Sequence, residues 1–259
     1  MRRKEQVTAF GIEMSKSATE TPEFTVVDSS VMVKVFYAFA VVALLSAGIS
    51  AAGKWLGHSI AMGGYSDDTK IRGIVIGNNV LAVPANFIRF DKARRDGNTD
   101  RLDVYLRYPK MDGYSAAARD DFNNASGKRT ILFLTFEEQA MSRDMSGRYA
   151  PIYSSLIARP GTTGPAGTTI YDFTEKSGYL NEKLVVAERP GQEPFVARCL
   201  AGPSAEQSLA PCERDVLVGE RLSLTYRFPR EFLAQWPALD AAVLAFASGT
   251  LKTGATLKK

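Results

Sequence analysis

Few residues in this chain have the type and spacing that catalysis requires. Histidine, the usual general base and the commonest metal ligand, occurs once, at His58. One imidazole rules out the paired histidines of an HExxH zinc site. Its place directly after an apolar segment, beside Trp55, takes it away from any Ser-His-Asp arrangement and makes it an exposed residue of the lipid–water boundary. The carboxylates come as adjacent pairs, Asp67-Asp68, Asp120-Asp121 and Glu137-Glu138. Neighbours on a strand point to opposite faces, so such a pair does not converge on one substrate. Lys252-Thr253-Gly254 matches the KTG of serine β-lactamases, but no S-x-x-K nucleophile motif accompanies it. Gly127-Lys128-Arg129-Thr130 lacks the glycine spacing of a P-loop, and no G-x-S-x-G elbow is present. The sequence therefore assigns no catalytic residue, no cofactor and no metal.

Cysteine is the remaining reactive type. Cys199 and Cys212 flank LAGPSAEQSLAP, a loop of small and turn-forming residues. A disulfide there would close a short loop and stabilise by about 3 kcal/mol in the chain-entropy model. Such bonds persist in oxidising compartments such as the periplasm. Two unrelated buried thiols are the alternative; the spacing does not suit zinc.

What positions these residues is set by the stretch Val35–Gly53, VFYAFAVVALLSAGISAAG, uncharged and bracketed by Lys34 and Lys54. At about 1.5 Å per residue it can cross a hydrocarbon core of roughly 30 Å. A cleaved signal peptide is the competing reading, since Ser50-Ala51-Ala52 suits signal peptidase. Against it, the preceding region is long and carries both charge signs. Arg2, Arg3, Lys4, Lys16 and Lys34 precede the helix, and Lys54 and Lys70 follow it; with the cysteines, this bias puts the N-terminus in the cytoplasm. Ala43, Ala47 and Ala51 recur at four-residue spacing, a stripe that lets another helix approach closely, in a homo-oligomer or beside another membrane protein.

The expected fold class is a single-pass membrane protein: a cytoplasmic disordered tail (1–31), a transmembrane helix (32–54), a juxtamembrane linker (55–70) and a mainly β, α+β periplasmic domain (71–259). Ile74–Pro84 reads as two short strands around Gly77-Asn78-Asn79. Ile131–Glu138 reads as a strand covered on both faces, and Ser115 as the cap of a helix ending near Ser126-Gly127. Later apolar runs are successive strands, and Pro237 interrupts a C-terminal helical pattern. Arg101–Lys110 and Arg221–Arg230 share the pattern R-L-x-[VL]-x-[LY]-R-[YF]-P-[KR]. The expectation is a diverged duplication, with halves 71–158 and 170–250, in which alternate residues are buried and Arg107 and Arg227 lie on the opposite face.

With a formal net charge of +4 and no basic stripe interleaved with aromatics, nucleic acid is excluded as a partner. The function expected is that of a non-enzymatic inner-membrane protein. Its periplasmic domain would bind or scaffold another envelope protein, as an assembly factor or accessory subunit, with Arg107 and Arg227 on the interaction surface. A sensor passing a ligand signal through the helix and a carboxylate-based cell-wall hydrolase are the alternatives.

Overall fold

The computed structural model describes residues 29–62 and 64–252, with the side chains of 52–62 excepted. The expected tail up to residue 28, the side chains of Trp55 and His58, and Thr253-Gly254 lie outside the described residues. The chain divides into two compact units, Met1–Gly57 and His58–Lys259.

The N-terminal helix spans Ser29–Met62. Its segment Ser29–Ala51 has a mean hydropathy of 2.1 and no buried residue. A helix that is apolar all round and buried against nothing has the length and composition of a membrane span. The helix does not stop at Lys54, because neither a lysine nor the single Gly57 breaks an established helix. The first part of the expected linker 55–70 is therefore helical, and its last residues are hydrogen-bonded into the domain. The Asp68 and Lys70 carbonyls accept from the amides of Asn86 and Ala85 at 2.7 and 2.9 Å.

The second unit holds two sheets. In the smaller, β1 (Ile71–Ile76) and β2 (Asn79–Pro84) form the expected hairpin, and β3 (Gly97–Asn98) pairs in parallel with β1. Gly77, at φ 53°, takes the positive φ that the two-residue turn needs. The larger sheet contains β4 (Arg101–Arg107), β5 (Ile131–Glu138), β6 (Thr162–Thr163), β7 (Thr169–Asp172), β8 (Glu182–Arg189), β9 (Gln192–Leu200), β10 (Cys212–Val218) and β11 (Leu222–Phe228). Its order is β4-β5-β11-β10-β9-β8-β7-β6, antiparallel throughout.

Period-2 alternation sends Leu102, Val104, Leu106, Leu132, Leu134, Phe136, Leu222, Leu224, Tyr226 and Phe228 to one inner face, all buried. The C-terminal helix, Trp236–Thr250, lays Leu239, Val243 and Ala247 into the same core. Each fully buried Leu or Val there is worth about 1.5–3 kcal/mol. Pro237 starts this helix rather than interrupting it, since a first-turn N–H has no intrahelical acceptor to lose. The turn of the small sheet is tied to the β10–β11 turn by Asn79: its amide donates to the Glu220 carbonyl at 2.7 Å and accepts from the Glu220 N–H at 2.8 Å. Gly219, at φ 58°, admits this contact, because a Cβ there would lie 2.4 Å from the Asn79 oxygen.

Three further expectations are corrected. The two echo segments do not belong to separate subdomains: β4 and β11 flank the same strand, β5, in one sheet. Leu102 and Leu224, not Leu102 and Leu222, face Phe136, and their surroundings differ. The three-stranded sheet precedes β4, whereas β11 is the second strand of a hairpin and leads into the C-terminal helix. The helix after Ser115 shrinks to a 3-10 turn, Ala116–Ala118, and one α-turn, Arg119–Phe122, with no side-chain cap. Finally, β5 is covered on both faces only at its start. Ile131 and Phe133 pack against a second cluster, while Thr135 and Glu137 do not.

Candidate functional site

The outer face of the large sheet is closed at both ends and open in the middle. At the β4 end Tyr105, Tyr114, Ala118 and Phe122 are buried together, with Tyr65 stacked on Tyr114 at 4.7 Å. At the β8 end Leu184, Val186 and Val196 meet Met145, Tyr153 and Ile157 under Tyr171, Phe173 and Tyr179. Between these aromatic caps run three polar cross-strand rows. One reads Phe133, Arg227, Glu213, Arg198; the next Asp103, Thr135, Thr225, Asp215; the third Arg101, Glu137, Ser223, Leu217. Such polar positions follow from alternation, but only the strand order sets them side by side.

Two cavities lie in this trough. The first, about 180 Å³, is lined by Glu137, Glu213 and Asp215 among its carboxylates and by Arg143, Arg148 and Arg198 among its cations. These largely neutralise one another. Arg148 pairs with Asp215, and Arg198 pairs with Glu213 and, at 3.4 Å, with Glu182. Burial pushes the Asp215 carboxyl above its ordinary range, against the opposing pull of Arg148.

The second cavity, about 250 Å³, is lined by Arg89, Arg101, Asp103, Phe133, Leu209 and Arg227, among others. Its one carboxylate is taken: Asp103 accepts from Arg101 at 2.8–3.1 Å and from the Thr135 hydroxyl at 2.7 Å. Burial raises the Asp103 carboxyl, but those hydrogen bonds and the charges of Arg101 and Arg89 outweigh it and hold it low. Arg89 and Arg227 are exposed and form no ion pair among the described residues. Arg89 lies 5.1 Å from the ring centroid of Phe133. Arg227 faces Glu213 in register, but that carboxylate is held by Arg198 on the next strand.

The wall of this cavity at Ser208, Leu209 and Ala210 comes from the loop between the cysteines. Cys199 and Cys212 are opposed residues of β9 and β10 and form the expected disulfide, with Cα atoms 4.0 Å apart. The loop is held further by Arg230, which donates to the Leu200 carbonyl, and by Arg129, which donates to the Glu206 carbonyl at 3.1 Å.

The residues expected on an interaction surface separate here. Arg227 opens into the second cavity. Arg107 lies outside the trough, where it donates to Asp112 at 2.7 and 3.0 Å and to Asp121 at 2.6 Å. Those bonds, to Asp112 first and then Asp121, raise the pKa of a guanidinium that is already satisfied. Ala43, Ala47 and Ala51 are exposed on the N-terminal helix. Arg89 carried no signal in the sequence beyond being one of several arginines near Arg94-Arg95. Glu137 and Glu138 do face apart: Glu138 lines a different cavity, beside Gly77.

A second polar group lies on the inner face and is structural. Asp240, on the C-terminal helix, accepts from Arg214 at 3.1 Å, from the Tyr226 hydroxyl at 2.6 Å and from Arg189 at 2.5 Å. Arg214 also donates to the Ser146 hydroxyl and the Val196 carbonyl, each at 2.9 Å. The Asp240 carboxylate thus meets three donors and Arg214 three acceptors, the pairing a buried charge requires.

No family model and no curated protein matches the chain. Two solved structures are similar to it. One is Smlt3025, an immunity protein of the Stenotrophomonas maltophilia type IV secretion system, at 14% identity and a TM-score of 0.46, covering 71% of this chain and 94% of that one. The other is the Neisseria meningitidis iron-regulated outer membrane lipoprotein FrpD, at 9% identity and a TM-score of 0.41, covering 71% of this chain and 95% of that one.

Proposed function

We propose that the chain is a non-enzymatic, membrane-anchored envelope protein whose exported domain binds another envelope protein as an accessory or assembly factor. The carrying observation is the polar trough. It is held open between two aromatic caps and presents two exposed guanidiniums, Arg89 and Arg227, that form no ion pair among the described residues. Charges left unpaired on a rigid sheet face serve recognition of a partner better than they serve stability. The apolar, unburied helix supports anchoring in the inner membrane, and the disulfide supports an oxidising compartment for the domain.

The test is affinity purification of the full chain, anchor intact, from detergent-solubilised membranes. The expected result is one envelope protein recovered in near-stoichiometric amount; recovery of nothing above an untagged control sinks the reading. Orientation has its own test. Both native cysteines are buried, so a reporter thiol belongs at exposed Lys176. Lys176→Cys should react with a membrane-impermeant maleimide from the periplasmic side alone, and reaction from the cytoplasmic side alone would reverse the topology.

The first cavity favours a second reading, carboxylate-based hydrolysis of cell wall. It gathers Glu137, Glu213 and Asp215, and burial moves the Asp215 carboxyl upward, the direction a general acid needs, against the pull of its partner Arg148. Purified peptidoglycan decides it: soluble fragments released by wild type but not by Asp215→Asn would replace the binding reading.

A further inference from the structure

The trough has two cavities with different charge balance, and the difference specifies a ligand. Around the first, three guanidiniums meet three carboxylates. Around the second, three guanidiniums meet Asp103 alone, and Asp103 already accepts from Arg101 and Thr135. What remains is a pair of cations that form no ion pair among the described residues, Arg227 and Arg89, the latter reaching Asp103 only through its charge, with Phe133 near Arg89 and Leu209, 45% exposed, in the same lining. A guanidinium presents its donors in a planar fork that fits a carboxylate with two parallel hydrogen bonds. An apolar floor strengthens such a bond by excluding water.

We propose that this cavity receives the side-chain carboxylate of an acidic segment on the protein partner, clamped by Arg89 and Arg227 over the ring of Phe133. The proposal rests on the binding reading given above and names its surface. The wall carrying Leu209 belongs to the disulfide-closed loop, so the bond between Cys199 and Cys212 also sets the width of the site.

The test uses the full chain in zwitterionic lipid nanodiscs and fluorescein-labelled hexaglutamate, read by anisotropy at low salt. Saturable binding is expected, weakened about tenfold or more by Arg89→Glu and by Arg227→Glu, which is about 1.4 kcal/mol or more. Arg143→Glu changes net charge equally but lies in the neighbouring cavity, and should keep affinity within about twofold. Equal loss in all three variants would show long-range attraction without a site and overturn the proposal, as would the absence of saturable binding. Pyrophosphate displacing the peptide at lower concentration than free hexaglutamate would reassign the cavity to phosphoryl groups. Binding of anionic but not zwitterionic vesicles, abolished by Arg227→Glu, would reassign it to lipid. If the co-purifying partner is retained in full by the Arg89→Glu/Arg227→Glu chain, the cavity is wrong and the binding reading stands. If wild type recovers no partner, the reading itself fails.

Discussion

Asp240→Ala is expected to cost about 3–5 kcal/mol of folding stability, the usual range for breaking a buried ion pair by removing one partner. The loss exceeds that of the missing hydrogen bonds because Arg214, 3% exposed, would stay buried without a counter-charge. Tyr226 would lose its acceptor as well, in a position with no exposure at all. For a domain of this size the midpoint of thermal unfolding should fall by roughly 6–20 °C. A double-mutant cycle separates pair from burial. Adding Arg214→Met to Asp240→Ala should recover much of the loss, since an apolar replacement removes the uncompensated charge. A loss below about 1 kcal/mol for Asp240→Ala would mean that the network contributes little beyond packing.

The same network fixes a pH dependence. Burial pushes the Asp240 carboxyl up, but Arg214, the Tyr226 hydroxyl and Arg189 together outweigh it and hold it below the usual carboxylate range. The folded-state value therefore lies below the unfolded value of about 3.9. The ionised network stabilises the fold at all pH above the unfolded value, and that stabilisation is lost as pH falls through the folded one. Wild type and Asp240→Asn should differ most near neutrality and converge below about pH 4 in urea unfolding series. A constant gap down to acid would show that the charge of Asp240 is not what stabilises.

Removing the disulfide, as Cys199→Ala/Cys212→Ala, should cost about 3 kcal/mol, the chain-entropy value for so short a loop. The closed segment separates the cysteines by 13 positions, and its interior forms a wall of the Arg89–Arg227 cavity. Two readouts should therefore move together. Unfolding should shift to lower denaturant, and hexaglutamate affinity should drop even where the domain remains fully folded, because the Leu209 wall is no longer fixed. Unchanged denaturation midpoints in the double variant would show that the β9–β10 register holds the loop without the bond. Lower stability with unchanged affinity would show that the wall does not define the site.

Much of this architecture is local and was open to reading from the sequence. An uncharged run long enough to cross a bilayer forms a helix because lipid leaves the backbone no other partners. Alternation at 102–108 and 222–228 fixes which residues face the core, since a one-residue slip would expose the whole set. The Gly77 turn and the pairing of Cys199 with Cys212 are likewise short-range. The likeness of Arg101–Lys110 to Arg221–Arg230 falls on two strands of one sheet. β4 and β11 lie on either side of β5, meet the same core with one face and border the same trough with the other, so they share one set of physical demands.

Only the tertiary structure decided what the charges do. Arg107 and Arg227 occupy matching places in the two segments, yet a turn and a short helix bring Asp112 and Asp121 to the first. The nearest carboxylate to the second in register is already bound elsewhere. Arg189, Arg214 and Asp240 come from two strands and a helix, and nothing in their spacing marks them as partners. Electrostatic pairing depends on distance and burial, and for residues far apart in sequence those are set by strand order and packing rather than by local pattern.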